Sequence, residues 1–301
     1  MSKLLSIIGP TATGKTRIAV RLAAALNGEI ISADSRQVYR NMNIGTGKDL
    51  KEYTIDGQQI KYHLIDIVNA GCQYNVFEYK NDFLTAYNDI CERGKLPILC
   101  GGSGMYIESV LQNYQLNFVP ENKTFRASIA HLCNQDLIQK LAQLRPLHNT
   151  SDTNDRQRLV RALEIATFEQ QTNQNKESTI ASKIYYLHFE PSVLRERIAQ
   201  RLSARFEQGM IEEVRNLLNS GITPQQLAYY GLEYKFIVLH LTGEMSYQQM
   251  YERLYFAICQ FAKRQRTWFK KMQRNGLNFN IIDCSDSEEI IVKKIVLDYF
   301  V

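Results

Sequence analysis

No Cys-x-x-Cys pair occurs in this chain. Its six cysteines (Cys72, Cys91, Cys100, Cys133, Cys259 and Cys284) are scattered, which argues against a zinc site and against a disulfide framework. No apolar run is long enough to cross a bilayer, and Met1-Ser2-Lys3 passes straight into a strand-like segment rather than a signal sequence. A soluble, cytoplasmic protein with no membrane contact is expected. Charge of one sign does not dominate either. The 36 Lys and Arg residues stand against 31 Asp and Glu, a net of +5 that implies nothing until its distribution is known. What is present is ordinary for a globular protein: 45% hydrophobic and 22% charged residues over 301 positions, enough for one large or two ordinary domains.

Against that background one stretch stands out. Gly9-Pro10-Thr11-Ala12-Thr13-Gly14-Lys15-Thr16 fits the phosphate-loop pattern G-x-x-x-x-G-K-[ST] at every fixed position. Leu4, Leu5, Ile7 and Ile8 before it read as a buried strand, and Ile18, Ala19, Leu22, Ala23 and Leu26 after it recur at helical spacing. A glycine-rich loop between strand and helix places backbone N–H groups and a helix N-terminus around phosphate oxygens. Lys15 would reach the outer phosphate, and the Thr16 hydroxyl would ligate Mg²⁺. The loop specifies a polyphosphate, not whether it belongs to a nucleotide or to a pyrophosphate ester.

The segments that follow fit an open α/β sheet. Glu29–Ala33 reads as a strand ending at Asp34-Ser35-Arg36-Gln37-Val38-Tyr39, where such sheets bind ligands, so Asp34 is a candidate general base or metal-shell carboxylate. Gly45-Thr46-Gly47-Lys48-Asp49 is a polar turn that fits a phosphate or RNA-backbone contact, and nearly as well a plain loop. Tyr62–Ile67 reads as a third strand; His63 and Asp66 within it are left out of the candidate catalytic set. A helix from Phe77 to Arg93, closed by Gly94, leads to a strand at Leu96–Cys100. That strand enters Gly101-Gly102-Ser103-Gly104-Met105-Tyr106, whose glycines permit close ligand approach and whose Ser103 offers a hydroxyl at a helix start.

Between residues 115 and 180 strand-like runs are missing. Helices are expected around Phe125–Cys133, Gln135–Leu144 and Arg156–Gln170, with Arg158 and Arg161 on one face, and Thr172 to Ser182 is polar. Ile184–Phe189 then returns to strand character. The long helix opened by Pro191 carries Arg197, Arg201 and Arg205 every four residues, a stripe suited to pyrophosphate or nucleic acid. Arg253 to Arg274 has no Asp or Glu, and holds Lys263, Arg264, Arg266, Lys270 and Lys271 with Phe261, Trp268 and Phe269 interleaved. That composition favours an RNA-facing helix whose aromatics are more often core than stacking platforms. A strand (Phe279–Asp283) and a capped helix (Ser287–Phe300) close the chain.

The expected fold is therefore α/β: a P-loop NTPase-like parallel sheet flanked by helices, formed by residues 1–114 with 183–301, and an inserted helical domain over 115–182. Three functions fit the residues alone: a small-molecule kinase, a group transferase acting on nucleic acid, and a nucleotide-gated RNA-binding module. The spread of Arg and Lys favours a large anionic partner over a metabolite.

The ordered set of motifs resembles the bacterial tRNA dimethylallyltransferases, the isopentenyl-tRNA transferase family. The matching pieces are Gly9–Thr16, Asp34–Tyr39, Gly45-Thr46, His63–Asp66, Gly101–Tyr106, Asn154–Arg158, Arg161–Glu164, Ala262–Gln265 and Thr267–Phe269. Departures from the family's usual pattern stand at Ser103 (for Thr), Asp152-Thr153 (for His-Pro), Ile258-Cys259 (for Thr-Arg) and Gly231–Tyr234 (for Gly-Tyr-Lys-Glu). The resemblance implies transfer from dimethylallyl diphosphate to N6 of the adenine at tRNA position 37, with Mg²⁺, by a monomer that grips the anticodon stem-loop. It implies that Asp34 takes the N6 proton. Lys15, Thr16, Ser103 and Arg201 would join Asp34 in catalysis, and Gly9 to Thr16 with Arg197 would hold the diphosphate. Asp34, Ser35, Arg36, Gln37, Ser103, Arg126, Gln157, Arg158, Arg161, Lys263, Arg264 and Arg266 would meet the tRNA.

Overall fold

A computed structural model describes residues 4–114, 116, 118–145, 155–171 and 180–300. The chain divides into two compact units, residues 1–113 with 179–301 and residues 114–178. Asn154, Asp152 and Thr153, and the polar stretch from Thr172 up to residue 179, lie outside the described residues.

The larger unit is built on a six-stranded sheet in which every pairing is parallel. Its strands are β1 (Leu4–Ile8), β2 (Gly28–Ala33), β5 (Tyr62–His63), β6 (Leu96–Gly101), β7 (Ser182–His188) and β8 (Asn280–Asp283), in the spatial order β5-β2-β6-β1-β7-β8. A separate two-stranded hairpin, β3 (Thr54–Ile55) with β4 (Gln58–Gln59), precedes β5. The run Leu-Leu-Ser-Ile-Ile of β1 is buried throughout, as a central strand with helices on both faces requires. Successive side chains serve opposite cores: Leu4 and Ile8 pack with one hydrophobic cluster, Leu5 and Ile7 with the other. Helices α1 (Lys15–Leu26) and α12 (Glu288–Tyr299) cover the Leu5 face through Ile18, Leu22, Ile291 and Ile295.

The opposite face is covered by α2 (Val76–Glu92), α3 (Gly104–Leu111) and a C-terminal helical group. That group comprises α7 (Pro191–Glu207), α8 (Met210–Asn219), α9 (Pro224–Tyr229), α10 (Leu232–Leu241) and the long α11 (Tyr247–Arg274). Local signals set their starts. Asn75 and Glu78 close a capping box on α2, Thr223 and Gln226 one on α9, and Ser246 and Gln249 one on α11. Strand β1 lies between β6 and β7, so the chain reverses direction across the sheet there, and the C-terminal strand ends open a crevice.

One expectation fails. The third strand ends at His63 rather than running to Ile67, because Leu64 and Asp66 take φ of 62° and 56°. Leu64 turns into the core, and the Asp66 carboxylate meets the Lys48 ammonium. Alternation of side chains detects a strand-like pattern but not the left-handed residues that break it.

The smaller unit holds α4 (Lys123–Ile129), α5 (Asn134–Leu144) and α6 (Arg156–Gln171) around Ile129, Leu137, Leu141, Leu159 and Leu163. Asp155 caps α6 through the amides of Gln157 and Arg158. The nearly buried Glu164 gathers three partners, accepting from the Asn122 amide and pairing with Arg126 and Arg161. No helix among the described residues is long and apolar enough to cross a membrane.

Candidate functional site

At the C-terminal edge of the sheet a cavity of about 460 Å³ opens beside the phosphate loop. Thr11, Ala12, Gly14, Lys15 and Thr16 form one wall. Asp34, which follows β2, and Gly101-Gly102, which follow β6, form a second; Arg197 and Arg201 of α7 face them. Gln37, Gly47, Asp49, Glu52, Tyr53 and Phe261 are among the other lining residues. Four stretches far apart in sequence therefore converge through three strand ends and one helix face.

The loop itself is internally braced. Thr13 donates its hydroxyl to the Pro10 carbonyl at 2.9 Å, and the Lys15 ammonium donates to the same oxygen at 2.6 Å. Burial lowers the Lys15 pKa to about 8; Arg201 adds in the same direction, while Cys100 and Asp34 oppose it. Arg197 donates Nε to the Ala12 carbonyl at 2.8 Å, and burial lowers its pKa too. Arg201 reaches the Thr11 hydroxyl and the Asp49 carboxylate, each at 3.2 Å. The third member of the stripe differs. Arg205 is buried, lies 3.6 Å from Glu233, and burial pulls it down to about 10. It supports the wall from behind rather than lining it.

Asp34 accepts the Arg36 amide at 2.9 Å, which folds Asp34–Arg36 into a turn with its carboxylate at the cavity. Ser103 meets that turn: its hydroxyl accepts the Ser35 amide at 2.9 Å and donates to the Ser35 hydroxyl at 3.2 Å. Gln37 is held by the Ser32 hydroxyl at 3.2 Å and donates to the Gly47 carbonyl at 3.0 Å. A side chain at Gly47, whose φ is +65°, would collide with the Arg205 and Arg201 guanidinium groups.

Two residues outside the candidate set tie these walls together. Gln265 of α11 accepts the Thr11 amide at 2.9 Å and donates to the Gly102 carbonyl at 2.8 Å. A Cβ on Gly102 would stand 2.6 Å from its amide nitrogen. Glu213 of α8 accepts three consecutive amides, Asn43, Ile44 and Gly45, at 2.8, 2.7 and 3.0 Å, and takes the Tyr234 hydroxyl at 2.8 Å. It thereby fixes the loop that carries Gly47 and Asp49. The motif around Gln265 was a signal for the first. Nothing local marks the second.

Lys15, Thr16, Asp34, Gln37, Arg197 and Arg201 are thus brought into one space, with Ser35 and Ser103 adjoining. Arg36 lies over the Tyr229 ring, 5.2 Å from its centroid. Lys263 and Arg264 are exposed, and Arg266 half-buried, on the helix that carries Gln265 and Phe261 to the cavity. Trp268 packs against Gly104 and Phe269 is core. Gln157 and Arg158 are exposed on α6 of the smaller unit, whereas Arg126 and Arg161 pair with Glu164. His63 and Asp66 do not meet. His63 lies 2.8 Å from Glu29, and Asp66 pairs with Lys48.

Two lining side chains have the oxygen donors a hard divalent cation takes. No cluster of three or more metal-ligating side chains occurs among the described residues. The Thr16 hydroxyl and Asp34 carboxylate line the same cavity, and Mg²⁺ commonly takes the rest of its shell from phosphate oxygens and water.

The comparisons agree with one another. A family model described as IPP transferase matches residues 37–272. The chain is 50% identical over 285 residues to tRNA dimethylallyltransferase 1 of Parabacteroides distasonis, covering 94% of this chain and 93% of that protein. It is 50% identical over 284 residues to tRNA dimethylallyltransferase 2 of Bacteroides fragilis, covering 94% and 93%. The solved full-length tRNA isopentenylpyrophosphate transferase of Bacillus halodurans superposes with a TM-score of 0.72 at 31% identity, over 99% of this chain and 96% of that one. A eukaryotic dimethylallyltransferase solved acting on tRNA gives 0.80 at 22% identity, over 99% and 80%, a likeness of fold.

Proposed function

The chain belongs to the IPP transferase family, and from that premise we propose that it moves a dimethylallyl group from dimethylallyl diphosphate to N6 of the adenine at tRNA position 37. The observation that carries this reading is the cavity, where the phosphate-loop lysine, two arginines and a strand-end carboxylate face one space. The diphosphate rests on the loop amides and the α1 N-terminus. Lys15, Arg197 and Arg201 surround it. As the allylic C–O bond breaks, its electron pair leaves with the diphosphate, and these cations face the growing negative charge. The allylic carbon tolerates the positive charge left behind. N6 supplies the electron pair of the new C–N bond, and its proton passes to Asp34. Thr16 would hold Mg²⁺, which would supply further neutralisation of the leaving group.

The adenine reaches Asp34 by leaving its stack. Ser103 acts through the Ser35 turn, setting the carboxylate and its neighbours for the base. Asp34 to Gln37 and Ser103 meet the RNA at the cavity. Lys263, Arg264 and Arg266 meet backbone phosphates along α11. In the insertion, residues 115–182, the exposed Gln157 and Arg158 and the Glu164-paired Arg126 and Arg161 complete the grip on the anticodon stem-loop. The core of residues 1–114 and 183–301 carries the chemistry, in a cytoplasmic monomer.

A single-turnover assay tests this. Protein, Mg²⁺, labelled dimethylallyl diphosphate and an anticodon stem-loop are mixed, and the RNA is digested to nucleosides. Prenylated adenosine is expected, and is lost when the position-37 adenine becomes guanine. Binding without product on any tRNA, or phosphoryl transfer from ATP instead, would overturn the reading.

A further inference from the structure

Tyr229 closes helix α9 with 48% of its surface exposed, although it is a large aromatic residue beside the cavity turn. Its ring is braced from below. Tyr230 stands edge-on to it at 5.5 Å, and buried Tyr230 stands edge-on to fully buried Tyr39 at 4.5 Å. The Tyr230 hydroxyl is fixed as well, accepting the Gly71 amide at 2.6 Å and donating to the Cys72 carbonyl at 3.0 Å. A column of three tyrosines therefore runs from the core to the surface and ends in the exposed Tyr229 ring.

Arg36 lies over that ring, and its own amide is the donor that Asp34 accepts. The candidate general base and the aromatic–guanidinium pair are thus two residues apart along one turn. An exposed aromatic ring backed by a second ring and carrying a guanidinium over it is an arrangement on which unstacked RNA bases settle. A base leaving its stack to reach Asp34 also leaves its neighbours without a stacking partner.

We propose that Tyr229, with Arg36, is a stacking platform for the loop nucleobase next to the adenine presented to Asp34. The identity of the RNA rests on the transferase reading; the platform is a separate claim about this ring. It assigns a role to a residue that no phosphate or proton-transfer argument uses. It also gives the Tyr39–Tyr230–Tyr229 column a purpose, since a platform is useful only if it does not move.

The experiment places 2-aminopurine, whose fluorescence falls on stacking, at each loop position flanking the reactive adenine of an anticodon stem-loop. Binding to the unaltered protein should quench one position more than the RNA's own stacking does. Tyr229→Ala should abolish that quench and weaken binding about tenfold, while Tyr229→Phe keeps both. An abasic nucleotide at the quenched position should weaken the unaltered protein similarly, and add nothing to Tyr229→Ala. If Tyr229→Ala retains the quench, or the two losses add in full, the platform is wrong. Should that variant fail to fold, the abasic series on the unaltered protein decides: no loss at any flanking position overturns the proposal. Prenylated product is measured in the same samples. A Tyr229-dependent quench without product would remove the transferase reading and keep the platform; product without the quench would do the reverse.

Discussion

Strand β2 carries a carboxylate near each end, and the two are treated in opposite ways. Glu29, at the N-terminal edge of the sheet, is 1% exposed and gathers His63, Arg93, Lys95 and Lys61. Burial alone would push its pKa up, but Arg93, His63 and Lys95 outweigh that and hold it well below the ordinary carboxylate range. Asp34, just past the C-terminal end, accepts one turn amide and faces a cavity. At the first edge the cations are matched to an acid the protein supplies. At the second, Lys15 and Arg197 donate to loop carbonyls and, together with Arg201 and its partner Asp49, face a cavity. Charge satisfied internally makes structure, and charge facing a cavity makes a binding site for an anion.

The sharpest way to break this contrast is at Asp34. Asp34→Asn should lower single-turnover transfer about a thousandfold, the scale of a lost general base, with tRNA affinity little changed by titration. Next is the opposite edge. Glu29→Gln leaves the Arg93 fork facing a neutral group and should lower stability by about 3 kcal/mol in denaturant unfolding, with transfer per folded molecule unchanged. The sign in pH follows. Because the folded pKa is depressed, the stability from Glu29 is present above the unfolded value and drains as pH falls through the folded one. An acid melting series should show that loss in the parent and not in Glu29→Gln.

A third test concerns Lys15. It is charged below about 8 and neutral above, and a diphosphate favours the charged form. Affinity for dimethylallyl diphosphate, measured by calorimetry, should fall as pH rises through that value. Lys15→Arg, which keeps its charge, should flatten the fall. A smaller effect is expected at Glu213, which positions the Asn43–Gly45 loop from a distance. Glu213→Gln replaces an acceptor oxygen with a donor facing amides, so the KM for the donor should rise about tenfold while kcat changes less. Glu213→Asp should restore part of it. Smallest is the helix α11 surface: Arg264→Glu should weaken tRNA binding severalfold and reduce the salt slope by about one unit or more.

What the sequence disclosed follows from what is local. The phosphate loop is a contiguous backbone device, so its pattern and flanking apolar periods were enough. Asp34 stands at a strand end, a recognisable place in a sequence, and lines the cavity. Residues 114–178 form a separate compact unit where strand-like runs stop in the sequence. Glu213 and Gln265 were not assigned, because their partners lie far along the chain, at Asn43 and at Thr11 and Gly102. Lys48 read as part of a polar loop. Its side chain is fully buried, donating to the Tyr39 and Asp66 oxygens and to Asn43 at 3.1 Å. Charge in a loop says nothing about which way the loop folds. Likewise four-residue spacing puts the three arginines on one helix face, but Arg205 turns inward to Glu233 while Arg197 and Arg201 line the cavity.

The most direct test sets the two ends of β2 against each other. Asp34→Asn and Glu29→Gln are made side by side, and each is measured for single-turnover prenyl transfer to an anticodon stem-loop and for melting temperature. The predicted pattern is crossed: the first loses transfer and keeps its melting temperature, the second keeps transfer and loses stability. Near-normal transfer by Asp34→Asn would contradict the assignment of proton transfer to that carboxylate, and with it the division of labour between the two edges of the sheet.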